Sequence, residues 1–332
     1  MPIVVNSNAS ATEASFNLSR NNEALRKSLG RLSSGKRISN PADDAGGLAV
    51  AYKLNSTINR SYAVIQNSQN SLSYLQVQDS ALATVGKILD RMAELRTMAQ
   101  DVTKNSGDVE NYSKEFVELQ SQLRQVREEK FNGISLFTSH GSQTSDSKSA
   151  LELDSAGLYI DGNGDTHTYE KFSRELRTHP NGDPTNGSVS LNVVNLEFIL
   201  SIGGLQINTG STQKNLGGLS NDDNGTDGMI SLGGSAFIAN IKDVSVGQFV
   251  NAIAKLADAR AENGAEQNRI MNSINLLQTN VTNLEAAHGR IMDADIALES
   301  TRFARYNVLV QASAAMTAQA NQMTNIALSL LG

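Results

Sequence analysis

Near both ends of the chain, apolar positions recur at spacings of three, four and seven residues, and in the middle that rhythm disappears. Ala11, Leu18, Leu25 and Leu32 fall seven apart, with Ala14 and Leu29 beside the same stripe, as a helix facing another helix requires. Arg20, Arg26, Lys27 and Arg31 occupy the opposite face. Ser10 and Glu13 stand at capping-box spacing and predict the start of this helix. Ser33-Ser34-Gly35 predicts a bend or loop, since glycine lowers helix propensity and serine competes for backbone hydrogen bonds. A second start signal follows at Asn40-Pro41, with Asp43 and Asp44 placed for the positive end of a helix dipole. The stripe of that helix includes Leu54, Ile58, Ile65, Leu72, Leu75, Leu82, Leu89 and Met92. Run to about Val102, it would extend on the order of 90 Å at 1.5 Å per residue.

Asn105 to Asp108 reads as a turn, and Phe116, Leu119, Leu123 and Val126 mark a shorter helix returning alongside until Asn132-Gly133 closes it. Beyond Phe137 the composition shifts to Ser, Gly, Asp, Asn and Thr with short alternating runs such as Ser188 to Val193, which predict a separate, mainly β module. Within it, Tyr169 to Leu176 reads as a brief helix and Asn221 to Gly228 as an exposed loop. Helix returns at Ser245, whose partner Gln248 completes another capping box before Phe249, Ile253 and Leu256. Ile270, Ile274, Leu277, Val281, Leu284 and Ile291 then hold heptad seam positions, His288 fills the remaining slot, and Gly289 marks a place where the rod can relax. In the last helix Leu309, Met316, Met323 and Leu330 are seven apart, with Ala312 and Ile326 on the companion positions and Gln319 breaking the seam once. The expected fold is mainly α with a β-rich insert: long antiparallel helical rods, a coiled-coil-like bundle formed by the N- and C-terminal segments together, plus a small mainly-β outer domain.

Composition narrows the function. The net charge of -6 gives no general attraction to nucleic acid. No cysteine is present, so disulfides, thiolate metal sites and cysteine nucleophiles are excluded. Met1-Pro2-Ile3-Val4-Val5-Asn6 has neither a basic flank nor a sustained apolar run and does not read as a cleaved secretory signal. Tyr306 to Gly332 carries no charge and has the length of a membrane span. The recurring amides Asn307, Gln311, Gln319, Asn321, Gln322 and Asn325 would be costly in lipid, so no membrane insertion is expected. The exposed small-residue face of such a terminal helix calls instead for neighbouring copies, and a contact that does not close on itself builds an open helical polymer.

Arg31-Leu32-Ser33-Ser34-Gly35-Lys36-Arg37-Ile38 and Asp43-Asp44-Ala45-Gly46-Gly47-Leu48-Ala49-Val50 closely resemble the N-terminal signature of the bacterial flagellins. Phe131-Asn132-Gly133, Ala261 to Arg269, Arg290 to Asp295 and the ending Ala318 to Leu331 resemble further landmarks of that family in the expected order. The likeness covers residues 1 to 140 and 245 to 332, and leaves the middle uncovered. It implies a subunit that self-assembles into the helical flagellar filament, the propeller of motility. Residues 1–42 with 290–332 would form an inner filament-core helix pair, 43–140 with 245–289 an outer-core rod domain, and 141–244 a surface-exposed variable domain. It also implies extracellular localisation after export in an unfolded state. The implied partners are other flagellin subunits, an export chaperone on the C-terminal segment, the flagellar export apparatus, and hook-associated and cap proteins. Two other readings stay open: a hook–filament junction protein of the same family, and a filament-displayed adhesin acting through 141–244.

The residues expected to carry inner-core assembly are Leu18, Leu25, Leu29, Leu32, Leu309, Ala312, Met316, Met323, Ile326 and Leu330. Outer-core packing is assigned to Leu72, Leu75, Leu82, Leu89, Ile270, Ile274, Leu277, Val281 and Leu284. Leu89-Asp90-Arg91-Met92-Ala93-Glu94-Leu95 resembles the family's stretch recognised by a vertebrate Toll-like receptor, which implies a candidate receptor surface at Arg91, Leu95 and Glu115. Asp161-Gly162-Asn163-Gly164-Asp165 opens like a calcium loop, but Thr166 stands where the turn glycine belongs and Phe172 where a bidentate Glu should be, so it reads as a β-turn. Asp222-Asp223-Asn224-Gly225 is an equally weak match. His140, His167, His179 and His288 are scattered, and no zinc, phosphate-loop or nucleophile-elbow pattern occurs. No enzyme activity, metal or cofactor is expected.

Overall fold

The computed structural model describes residues 8–138, 152–153, 157–160, 166–169, 171–182, 187–202, 214–215, 238 and 240–331. The expected loop at 221–228 and both calcium-loop look-alikes, 161–165 and 222–225, lie outside these residues. The described helices are α1 (Ala9–Ser34), α2 (Ala45–Met98), α3 (Ser106–Arg127), the short α4 (Leu196–Leu200), α5 (Val246–Met292) and α6 (Ile296–Leu331). Two compact units divide the chain, Met1–Arg60 with Thr279–Gly332, and Ser61–Gln278. Their boundaries fall inside α2 and α5.

Helix ends follow from local chemistry. The first helix is capped by Asn8, whose side chain accepts the N–H of Ala11, two residues ahead of the expected Ser10 box. It ends where Gly35 turns to φ 68° and donates its N–H to Arg31 O, a left-handed cap that a side chain would strain. Asn40 to Asp43 form a turn rather than helix, and α2 begins after Asp44, whose carboxylate accepts the N–H of Gly47 at 2.8 Å. Running for 54 residues, α2 is on the order of 80 Å long. Reciprocal bonds between Asn105 and Asp108 start α3, and those between Ser245 and Gln248 start α5. Gly264 and Gly289 leave α5 unbroken.

In the unit Ser61–Gln278 the core is built by α2, α3 and α5. Leu75, Leu82, Leu89, Met92, Leu95, Phe116, Leu123 and Phe249 are fully buried there. Phe116 and Phe249 meet edge to face at 6.1 Å. Gly86 lets α5 approach α2, because a methyl group at that position would stand 3.3 Å from Leu256. Polar side chains inside this core are satisfied: Gln78 donates to Leu136 O at 2.8 Å and accepts from Asn263 at 2.6 Å, and Gln120 bonds both the N–H and the C=O of Ile238 at 3.0 Å.

A hairpin of β1 (Lys130–Phe131) and β2 (Ile134–Ser135) turns at Asn132 and Gly133, both at positive φ, as a two-residue hairpin loop demands. Beyond it come β3 (Phe137–Thr138), β4 (Glu152–Leu153), β5 (Gly157–Ile160), β6 (Thr166–Tyr169), β7 (Phe172–Arg177) and β8 (Ser188–Asn195). The last two described strands are β9 (Ser201–Ile202) and β10 (Lys214–Asn215). A four-stranded sheet runs β3-β8-β7-β4, with β3 parallel to β8 and the other neighbours antiparallel. The brief helix expected at Tyr169 to Leu176 is instead the end of β6 and most of β7. Phe172 and Leu176 are four apart, a spacing that suits either one helix face or one strand face, and six residues of antiparallel pairing with β8 decide for the strand.

The sheet is clasped to α5 by carboxylates. Glu266 accepts the N–H of Asn192 on both oxygens, at 3.1 and 3.0 Å, while Glu262 accepts from the Asn192 amide at 2.8 Å and from Lys171 at 3.0 Å. Burial pushes the Glu266 carboxyl up to about 7, against the opposing pull of the Asn192 N–H and Lys171. A raised carboxyl contributes stability that is present below its unfolded value of 4.5 and is lost as pH rises through about 7. Urea unfolding of the wild type should therefore lose stability between pH 5 and pH 8 by on the order of 1 to 3 kcal/mol more than Glu266→Gln. Equal slopes in the two proteins would contradict this. In the helical core, Leu82→Ala should cost about 2 to 5 kcal/mol, read as a lower urea midpoint.

Candidate assembly surface

Helices α1 and α6 run antiparallel at a separation close enough to bring their backbones within 8 Å along the pair. Small side chains make that approach feasible. The inward positions of α1 are Ala11, Ala14, Leu18, Asn21, Leu25, Ser28 and Leu32, alternating by threes and fours. Those of α6 include Glu299, Phe303, Tyr306, Val310, Ser313, Thr317 and Ala320. Polar rungs cross between them: Asn8 donates to Ala320 O at 2.8 Å, Asn21 to Ser313 Oγ at 2.8 Å, and Ser28 Oγ to the Glu299 carboxylate.

The two helix breaks meet. Arg37 N–H donates to Met292 O at 2.6 Å and Ala294 N–H to Gly35 O at 2.9 Å, so the loop after α1 and the loop before α6 join as a short antiparallel bridge at Lys36 and Asp293. Ile38, Ala51 and Met292 form a small buried cluster beneath it, with Leu48 and Ile291 packed at its edge. Lys27 reaches Asp43 at 2.6 Å. That bond, assisted by the N–H groups of Asn40 and Ser39, holds the Asp43 carboxyl down at about 2.

The expected assembly residues divide into two groups. Leu18, Leu25 and Leu32 are half-buried in the seam, as is Leu309 at its edge. Leu29 is 54% exposed, Met316 is 63% exposed, and Ala312 also faces outward. Met323, Ile326 and Leu330 lie on α6, and their side chains fall outside the described residues. The seam of α6 therefore runs one step away from the stripe read from Leu309 and Met316. Asn21, Ser28, Ser313 and Glu299 were absent from the expected set because they are polar. Their signal was the heptad Ala14, Asn21, Ser28 against the heptad Glu299, Tyr306, Ser313, Ala320.

Among the expected outer-core residues, Leu75, Leu82, Leu89, Ile270, Ile274, Leu277 and Val281 are buried, while Leu72 and Leu284 are half-buried. Arg91 is exposed and ion-paired to Glu115 at 2.8 Å and Glu94 at 3.1 Å, which raise its affinity for its proton. Leu95 is fully buried, so it supports that surface from beneath and presents nothing on it. Among the described residues no helix is long and apolar enough to cross a membrane.

Residues 5–142 match the family pattern of the bacterial flagellin N-terminal helical region, and residues 246–331 that of the flagellin C-terminal helical region. The chain belongs to the bacterial flagellin family. It is 30% identical to a flagellin of Bacillus subtilis over 98% of this chain and 99% of that one. It is 28% identical to the flagellar filament 33 kDa core protein of Treponema phagedenis over 99% and 100%. A third relative, polar flagellin F of Vibrio parahaemolyticus, is 28% identical with all of both chains covered. The two matched regions contain the elements that build the helix pair and the rods, and the sheet of β7 and β8 lies between them.

A depressed carboxyl stabilises above its ordinary value and loses that contribution as pH falls through its folded value. Thermal melts between pH 5 and pH 2 should show a loss of stability in the wild type that is smaller in Asp43→Asn, which lacks the titrating group held by Lys27.

Proposed function

We propose that the chain is a structural subunit that self-assembles into the helical bacterial flagellar filament and carries no enzymatic activity. The observation that carries this reading is the uncovered apolar surface of α1 and α6: Phe16, Leu29, Ile296, Leu298, Val308 and Met316 are each at least half exposed. A two-helix pair has one seam, and side chains distributed around both helices cannot all enter it. Copies of the same chain supply the missing cover, and repetition of a contact that does not close on itself gives a filament. Membership in the flagellin family, and a relative named as a filament core protein, support the same assembly.

Within this reading, residues 1–42 with 290–332 form the inner layer of the filament, 43–140 with 245–289 the outer-core rods, and 141–244 the outward face. Extracellular delivery proceeds through the flagellar export apparatus. A chaperone covers the C-terminal segment beforehand, and hook-associated and cap proteins bound the polymer. The charge-free stretch of α6 from Tyr306 onward supports the chaperone, since Val308 and Met316 on it stay exposed when α1 is packed alongside. A vertebrate Toll-like receptor is a further partner, through the exposed Arg91 and Glu115.

Electron microscopy of purified chain tests the assembly. Wild type should give long helical filaments, whereas Leu29→Asp with Met316→Asp should give none while the monomer keeps its helical circular dichroism, because both side chains already face water. Filaments from the double variant would sink the proposal. For the receptor, Arg91→Ala monomer should activate receptor-bearing cells at least several-fold less than wild type, and equal potency would remove that partner.

A further inference from the structure

The seam between α1 and α6 repeats every seven residues, so its apolar positions by themselves do not define one register. Sliding α6 by one heptad toward the start of α1 would exchange Leu32 for Leu25, Leu25 for Leu18 and Ser28 for Asn21. Sliding the other way would carry the Ser28 position onto Gly35, beyond the end of the helix. The polar contacts discriminate: the slip would break the bridge at Lys36 and Asp293, set Ala14 instead of Asn21 opposite Ser313, and change the surroundings of Glu299. In the observed register the buried Glu299 accepts from Ser28 Oγ, bonds Arg302 at 3.2 Å, and faces Arg31 at 4.0 Å. After the slip Arg31 would be replaced opposite it by Ala24.

After the slip Glu299 would keep Arg302 on its own helix but lose Arg31, and a buried carboxylate with fewer cationic neighbours is less favourable, whereas exchanging leucine for leucine is close to neutral. Glu299 also lies in the first turn of α6, where the positive end of the helix dipole favours its charge. Arg31 Nε is buried without a hydrogen-bond partner, and the guanidinium reaches the Glu299 carboxylate through Nη1 at 4.0 Å. The arrangement has the logic of a single polar residue that specifies register in a coiled coil.

We propose that Glu299, read by Ser28 and Arg31, is the buried seam residue that, with the bridge at Lys36 and Asp293, sets the register in which α1 and α6 pair, and thereby which apolar faces the pair turns toward a neighbouring copy. The second half of this statement rests on the filament reading above, while the first half does not.

The absence of native cysteine makes the register directly measurable. Asn21→Cys with Ser313→Cys reports the observed register, since those side chains are 2.8 Å apart, and Ala14→Cys with Ser313→Cys reports the slipped one. In the full-length monomer under mild oxidation, the 21–313 pair should form its disulfide at least tenfold faster than the 14–313 pair. Glu299→Leu should reduce that ratio at least threefold, and so should Arg31→Ala. Glu299→Gln, which keeps the bond to Ser28 and loses the charge, should fall between wild type and Glu299→Leu.

If Glu299→Leu abolishes both disulfides, Arg31→Ala decides, because it leaves the carboxylate and Ser28 in place. An unchanged ratio in Arg31→Ala overturns the proposal, and so does a wild-type ratio near one. Electron microscopy of the same proteins separates the two readings: a wild type that makes no filaments yet keeps its tenfold preference defeats the filament and leaves the register intact.

Discussion

The pairing of α1 with α6 is the contact on which the rest depends, and its chemistry is unusual for a helix pair that anchors both ends of a chain. Close approach of two helices is possible because alanine, serine, asparagine and threonine occupy much of the seam. The same small side chains bury little apolar area, and hydrophobic stabilisation scales with the area buried. The apolar side chains that could have supplied it, such as Val308 and Met316, point outward. The pair is therefore specified by its polar rungs and the bridge at Lys36 and Asp293 more than it is stabilised by a core, and its remaining apolar surface is available to other copies.

The unit Ser61–Gln278 solves the opposite problem. Three helices and a sheet enclose a core in which leucine, phenylalanine and methionine are fully removed from water. Gln78, Asn263, Gln120 and Ser113 sit inside it with their hydrogen bonds made to backbone or to one another, so their burial carries no unsatisfied cost and fixes how strand, hairpin and helix dock. This unit is self-sufficient in burial, whereas the helix pair leaves Phe16, Val308 and Met316 exposed.

Much of this was legible in the residues, for identifiable reasons. The long helices, the break at Gly35 and the box at Ser245 each rest on local rules of capping and period, and local rules survive any tertiary arrangement, whereas Asn132-Gly133 was read only as the close of α3 and instead turns the hairpin of β1 and β2. The stripe Leu75, Leu82, Leu89 reached the core because three helices surround it. The stripe Leu309, Met316 did not, because the seam of α6 lies one step away, on Phe303, Tyr306, Val310, Ser313, Thr317 and Ala320, and leaves Met316 on the outer side. β7 was misread because a spacing of four satisfies both periods and only its partner β8 distinguishes them. Glu299 and Ser28 escaped notice because a search for apolar repeats passes over polar ones.

The central claim is that the terminal helices complete their burial only when copies assemble. Amide hydrogen exchange, followed residue by residue in the free monomer and in the polymer, measures it most directly, since protection reports the free energy of local opening. The account predicts rapid exchange in α1 and α6 of the monomer, slow exchange in the buried stretches of α2, α3 and α5, and protection of α1 and α6 that rises at least a hundredfold in the polymer. Terminal helices already as protected in the monomer as the leucine core would contradict it.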